Sequence, residues 1–247
     1  MHAEYDAVAA QLANGALRNM QLNFLSTKIL SQTASISCPT IDSWPNCSAI
    51  PMDYFGAFTD TIIDMTPMRT TSILPILTKD EVAPFEAFAY KYFEENGASD
   101  GFGESDIGQG LYSRTSNGTV YHTTELYANG SNPIFTPVFL TAKLENGNSR
   151  VIMLNIYAEP LRVQGIDDTI ACVNDGLVHN GTAACGGVTD IIWLVQDDSF
   201  TPAALTFHPI FPWKNQSSLV GLVSSVLDWG SLLKSVLPSN IENLDVV

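Results

Sequence analysis

Ser105 is the residue whose surroundings come nearest to a catalytic motif. In Gly103-Glu104-Ser105-Asp106-Ile107 it carries half of the Gly-x-Ser-x-Gly elbow that lifts a nucleophilic hydroxyl above a sheet. The second glycine and a preceding strand are missing. Joined by His122 or His208 and an aspartate, Ser105 would make the chain a fragment of a secreted hydrolase, which is the rival reading from the enzyme class. Gly101-Phe102-Gly103 lacks the rest of a dinucleotide fingerprint and reads as loop glycines. Asp167-Asp168 and Asp197-Asp198 bring carboxylates together, but neither pair has the ligand spacing of a calcium loop. Solvated turn carboxylates explain them better. His2, His122, His179 and His208 show no metal-ligand spacing. No catalytic constellation, metal or cofactor is therefore expected, and whether the chain is an enzyme stays open.

The cysteines and sequons speak to compartment. Cys38 lies near Cys47, and Cys172 near Cys185, each pair bracketing a turn-rich stretch. Four cysteines allow three connectivities; local pairing is the preferred one. Loops of this size would contribute about 3 kcal/mol per bridge in the chain-entropy model. Asn46, Asn117, Asn129, Asn180 and Asn215 each begin an Asn-x-Ser/Thr acceptor for N-glycosylation. Paired cysteines and sequons agree on an extracellular or luminal protein.

Composition removes other classes. The chain has 247 residues, with 26 Asp plus Glu against 11 Lys plus Arg, for a formal net charge of −15. Nucleic acid is bound with clusters of Lys and Arg, and there are none here. A polybasic membrane patch is absent for the same reason. The 45% of hydrophobic residues is ample for a packed core. No apolar run reaches the 18 residues that would span a bilayer, and Met1 to Ala7 is not a signal peptide. A glycosylatable segment of this kind is expected to be an ectodomain excised from a larger protein, with membrane contact only through flanking segments.

The elements follow from periodicity. Tyr5, Val8, Leu12, Ala16, Met20, Phe24 and Leu25 recur at three and four, predicting a long amphipathic helix from Tyr5 to about Ser31. A second helix is predicted from about Met52 to Met65. A third opens at Thr78, where Thr78-Lys79-Asp80-Glu81 is a capping-box sequence. After Gly97, segments 119–127, 134–144, 150–158, 189–196, 204–210 and 219–227 read as strands. Asn146-Gly147 predicts a hairpin joining Phe135–Leu144 to Val151–Tyr157. Asp228 caps a short helix, Trp229 to Leu237, and a last strand starts near Ile241. Helices first and an antiparallel sheet after them make an α+β chain. Residues 1–35 would be a stalk or spine helix and 36–247 the main domain. That domain divides into a helical part (about 36–110) and a sheet part (111–247).

Four stretches resemble the extracellular region of receptor-type nucleotide (guanylate/adenylate) cyclases, of the kind numerous in diatoms. They are Ser43-Trp44-Pro45, Ile73-Leu74-Pro75-Ile76-Leu77-Thr78 before Phe85-Glu86-Ala87-Phe88-Ala89-Tyr90, Asn132-Pro133-Ile134-Phe135-Thr136-Pro137-Val138, and Val220 to Trp229 before Val236-Leu237-Pro238. Their order is also similar to the CHASE-like sensor layout, a long N-terminal helix followed by a PAS-like antiparallel sheet. The resemblance implies an extracellular sensor at the plasma membrane, homodimeric through the long helix, passing the binding of a small molecule or peptide to a cytoplasmic output domain. No set of ligand-contacting residues can be matched to the CHASE-like sensors, so the resemblance supplies no ligand.

The pocket-wall candidates come from strand alternation: Phe135 and Phe139 on one strand, Asn155 and Tyr157 on its hairpin partner. The same four would equally form core beneath the helices. His208, among the aromatics of Phe207-His208-Pro209-Ile210-Phe211, is a fifth candidate, with a packed core histidine as its plain alternative. An acidic chain inclines the expectation toward a neutral or cationic ligand. A cell-surface adhesion module remains a third class.

Overall fold

A computed structural model describes residues 2–44, 52–66, 68–95, 109–115, 119–123, 134–142, 151–175, 178–179, 182–183, 185–194, 202–215 and 217–236. Its centre is an antiparallel sheet built on two long strands, β9 (Pro202–Ile210) and β10 (Gly221–Asp228), with β1 (Met68–Pro75) beside β10. The full order is β4 (Leu140–Thr141), β1, β10, β9, β7 (Gly187–Val188), with β8 (Ile192–Trp193) also paired to β9. Counted by position along the chain, the five strands of the main path run 2-1-5-4-3, the order of a PAS-type sheet. Two small ribbons lie apart: β2 (Tyr112–Arg114) with β3 (Val120–His122), and β5 (Val178–His179) with β6 (Thr182–Ala183).

Both faces of the sheet are covered, so β1, β9 and β10 are buried almost throughout. The long helix α1 (His2–Ser37) lies on one face, against β9 and β10. On the other face lie residues 151–158 and the helix α4 (Pro160–Asn174), which packs on β7 and β9. Helices α2 (Met52–Asp64), α3 (Lys79–Glu95) and α5 (Trp229–Val236) complete the described helices. The chain is α+β, with a long N-terminal helix and an antiparallel sheet, as its sequence predicts.

The predicted stripe on α1 holds in part. Leu12, Ala16, Met20 and Phe24 are half-buried and lead into the buried Asn23, Thr27, Leu30, Ser31 and Ala34, whereas Leu25 is 54% exposed. The physical reason is the sheet beneath, which presents hydroxyls. Thr27 Oγ1 meets Ser225 Oγ at 2.9 Å, Thr206 Oγ1 donates to Asn23 Oδ1 at 3.0 Å, and Ser31 donates to the Pro209 carbonyl. Polar groups of helix and sheet therefore meet within a contact that Phe24, Leu30 and Ala34 also share, and the apolar repeat marks it only in part.

Other differences are local. Strand β1 lies in a stretch with no predicted strand, because Thr70, Thr71 and Ser72 hide the apolar alternation. Helix α4 is also missed; Pro160 at its first position and Gly165 inside it weaken the periodic signal. The predicted hairpin is replaced by an irregular contact, and Asn146-Gly147 lies outside the described residues. Val138 N–H donates to Leu154 O, and Met153 N–H to Val138 O. Regular pairing fails because Pro137 lacks an amide hydrogen and Met153 turns left-handed at φ 67°. At Thr78 the cap holds with altered bonding: Glu81 Oε2 accepts both the Thr78 amide and the Thr78 hydroxyl, each at 2.7 Å. Asp228 caps α5 as predicted, its Oδ1 accepting the Ser231 amide at 2.9 Å. Capping contributes about 1 kcal/mol at such a site.

Helix α4 lies close against β7 at a pair of glycines. A Cβ on Gly187 would fall inside the Gly165 carbonyl oxygen and 2.6 Å from Thr169 Oγ1. The Cys172–Cys185 disulfide, with Cα atoms 5.6 Å apart, ties the end of α4 to the chain just before β7. Gly187→Ala is therefore expected to destabilise the fold by about 1–3 kcal/mol, the usual cost of overpacking. Urea unfolding of the variant checks this, and an unchanged midpoint would contradict the contact.

Candidate functional site

The faces of the sheet alternate residue by residue, and this places the site. Thr71, Thr206 and Ser225 point toward α1. Their neighbours Thr70, Ser72, Leu205, Ser224 and Val226 point the other way and line a cavity of about 40 Å³ beneath α4 and residues 151–156. That volume holds about three waters. One wall is Arg162, in the first turn of α4 and 5% exposed. A guanidinium is rarely buried so completely without a carboxylate to answer it. Here Glu159, one turn back, supplies an ion pair at 3.9 Å, beyond hydrogen-bond length. Glu159 Oε1 also accepts the Arg114 amide at 3.2 Å. Burial pulls the Arg162 pKa below its ordinary value; Glu159 and Tyr112 oppose that shift and Arg114 adds to it.

The cavity roof is the turn at Met153. A non-glycine residue in the left-handed region costs of order 1 kcal/mol, and three hydrogen bonds hold it there. Met153 N–H donates to Val138 O, Tyr112 N–H donates to Met153 O, and Asn155 N–H donates to Tyr112 O. Asn155 is fully buried, with Oδ1 accepting the Thr136 amide at 2.9 Å and Nδ2 lacking a partner among the described residues.

The five pocket-wall candidates separate. Phe135 and Asn155 are buried in the roof segment and its neighbour, and neither lines the cavity. Phe139 is packed among Phe85, Phe88, Tyr92 and Phe93, with ring centroids 5.4–5.8 Å apart. Tyr157 is half-buried and donates its hydroxyl to Asp167 Oδ1 at 2.9 Å. His208 belongs to the α1 face of the sheet. Arg162 and the hydroxyls of Thr70, Ser72 and Ser224 carried no spacing signal, because three separate segments supply them.

A larger recess of about 820 Å³ runs along α3 and includes Glu86, Tyr90 and Gly110. Two of its polar groups serve the fold: Glu86 Oε1 accepts the Leu111 amide at 2.7 Å and Tyr90 Oη the Gly110 amide at 2.8 Å, while Lys91, Glu94 and Gln109 also line it. Burial, offset in part by that amide, raises the Tyr90 pKa. The inner cavity, with a buried charge in its wall, is the better candidate.

Ser105, Asp197 and Asp198 lie outside the described residues, as do Cys47 and the sequon residues Asn46, Asn117, Asn129 and Asn180. Cys38 is disulfide-bonded. Asn215 is half-buried and accepts a hydrogen bond from the hydroxyl of Ser217, the third residue of its own sequon, at 2.9 Å. Asp167 and Asp168 sit exposed on α4. No group of acidic, histidine or cysteine side chains able to hold a metal occurs among the described residues, and no described helix is long and apolar enough to cross a membrane.

No family model matches the chain, and no curated protein does either. Among solved structures it is similar to the periplasmic sensory domain of the Campylobacter jejuni chemoreceptor Tlp1, with 15% identity and a TM-score of 0.42. The match covers 93% of this chain and 59% of that one. The chain thus spans well under two thirds of that domain's length, and at this identity no ligand transfers. The disulfide is of the kind that persists in oxidising surroundings outside the cytoplasm.

His208 yields a pH prediction. It is 7% exposed, and burial, reinforced by the Lys28 charge, lowers its pKa to about 4. Its Nδ1 has no partner among the described residues. The folded-state pKa lies below the unfolded one, near 6.5. Its contribution is therefore complete above pH 6.5 and is lost as pH falls from 6.5 toward 4, by about 3 kcal/mol. Chemical unfolding at pH 7 and pH 4 is expected to show this loss in the wild type and a smaller one in His208→Phe. Equal losses would contradict the assignment.

Proposed function

We propose that the chain is the extracellular ligand-sensing region of a membrane receptor, and that its output is a cytoplasmic nucleotide cyclase. The observation that carries the sensing role is the alternation along three central strands. Ser224 lines the cavity while Ser225 bonds α1; Leu205 lines the cavity while Thr206 bonds α1; Thr70 and Ser72 line it while Thr71 bonds Ser225. Whatever occupies the cavity pushes on strands that α1 grips from the other side. A ligand shifts that contact only by its differential affinity for two arrangements of it. The fold alone assigns no function; this two-sided placement supports one. The cyclase output rests on the resemblance of the four sequence stretches.

In this reading residues 1–35 are the stalk and 36–247 the sensor, with a helical part (about 36–110) and a sheet part (111–247). Membrane segments flank the chain, the sequons carry glycans, and two copies associate through α1. Leu22, Leu25, Ile29 and Ile36 are exposed at 37, 54, 40 and 62%. At 100° per residue they fall opposite the buried face of α1, spaced by three, four and seven as in a coiled-coil seam.

The complete transcript tests the receptor reading. Apolar spans on both sides and a cyclase domain downstream are expected, whereas a stop codon soon after Val247 would overturn it. For the dimer, the expected outcome in sedimentation equilibrium is a wild-type dimer and a monomeric Leu25→Glu/Ile29→Glu variant with unchanged circular dichroism. A wild type that stays monomeric at high concentration would remove the α1 interface from the account.

A further inference from the structure

We propose that the cavity beneath α4 binds a small carboxylate anion, of formate to acetate size, with Arg162 as its countercharge. This rests on the sensing reading and deepens it by naming the ligand class. Among the described residues the only charged side chain in the cavity wall is a cation. It stands in a low-dielectric chamber, where an anion gains far more from it than in water. Guanidinium N–H groups pair readily with carboxylate oxygens.

The remaining polar groups fit the same ligand. Thr70 Oγ1 donates to Ala142 O at 2.8 Å and Ser72 Oγ to Thr141 Oγ1 at 3.0 Å, so those two protons are committed. The Ser224 hydroxyl lines the same wall and is the second donor for the anion. The other faces, among them Leu205 and Val226, are apolar and suit a methyl or methylene group. The volume of about 40 Å³ accepts three or four non-hydrogen atoms and is too small for a phosphate with its hydration. Glu159, at 3.9 Å, keeps Arg162 charged without filling the cavity. The charged side chain that reaches the cavity wall is this cation, with Glu159 behind it outside the lining, which turns the sequence-based inclination toward a neutral or cationic ligand the other way.

The test is isothermal titration and thermal unfolding of the whole chain with sodium formate and sodium acetate, against sodium chloride and sodium phosphate at equal ionic strength. Saturable binding of formate or acetate, with a raised Tm that chloride and phosphate do not reproduce, is expected. Arg162→Gln should weaken that binding at least about tenfold, as befits a charge-assisted hydrogen bond. Because Arg162→Gln changes a buried charge, Ser224→Val is the second variant: it leaves the charge in place, narrows the cavity and should also weaken acetate. Retention of full acetate affinity in both variants would overturn the site. Absence of any carboxylate binding to the wild type would overturn the proposal. If an amine or neutral compound then stabilised the chain and Ser224→Val abolished that effect, the sensing reading would survive without the carboxylate.

Discussion

The structure depends on a sheet that must be buried on both faces although its strands carry hydroxyls on both. Strand alternation sends Thr71, Thr206 and Ser225 to one side and Thr70, Ser72 and Ser224 to the other. Buried hydroxyls need partners, since an unmet one costs about 1–3 kcal/mol. Toward α1 the partners are Asn23, Thr27 and Ser31, so that contact includes directional polar bonds. On the opposite side α4 is fixed differently, by glycine-to-backbone contact at Gly187 and by the Cys172–Cys185 bridge. One face is held by a covalent bridge and close backbone contact, the other by side-chain hydrogen bonds. Asn23 Nδ2 and His208 Nδ1, both at the α1 seam, lack partners among the described residues, which fits a seam with room to adjust.

Much of this fold is legible in the sequence, where local chemistry and tertiary packing agree. The capping residues Thr78 and Asp228 mark two helix starts, and the β-branched runs of β9 and β10 mark the strands. Legibility fails where packing reverses the usual rule. The apolar repeat on α1 runs into the buried face only in part, because Asn23, Thr27 and Ser31 take up polar groups of the sheet. In β1, Thr70, Thr71 and Ser72 are buried polar residues whose partners come from β10 and residues 141–142. Helix α4 holds a glycine because the Phe207 ring and the Thr189 amide crowd the place of a Cβ at Gly165, a reason invisible without the fold.

The candidate site is less legible still. Arg162 lies in an unremarkable stretch, and its meaning comes from strands β1, β9 and β10 together with residues 151–156. Phe135, Phe139, Asn155 and Tyr157 come from segments that do meet, but a left-handed residue and a proline turn the expected flat hairpin into a roof. The acidic composition says nothing of the cavity wall, where the charged side chain among the described residues is Arg162.

The central claim is that the cavity and α1 are coupled through the sheet between them. A double-mutant cycle in urea unfolding measures this directly, pairing Arg162→Met on the cavity side with Thr27→Val on the α1 side. The two residues are on opposite faces and distant sites ordinarily add within about 0.3–0.5 kcal/mol. The account predicts an interaction energy clearly above that range. Strict additivity would mean that the two faces respond independently, and would contradict it.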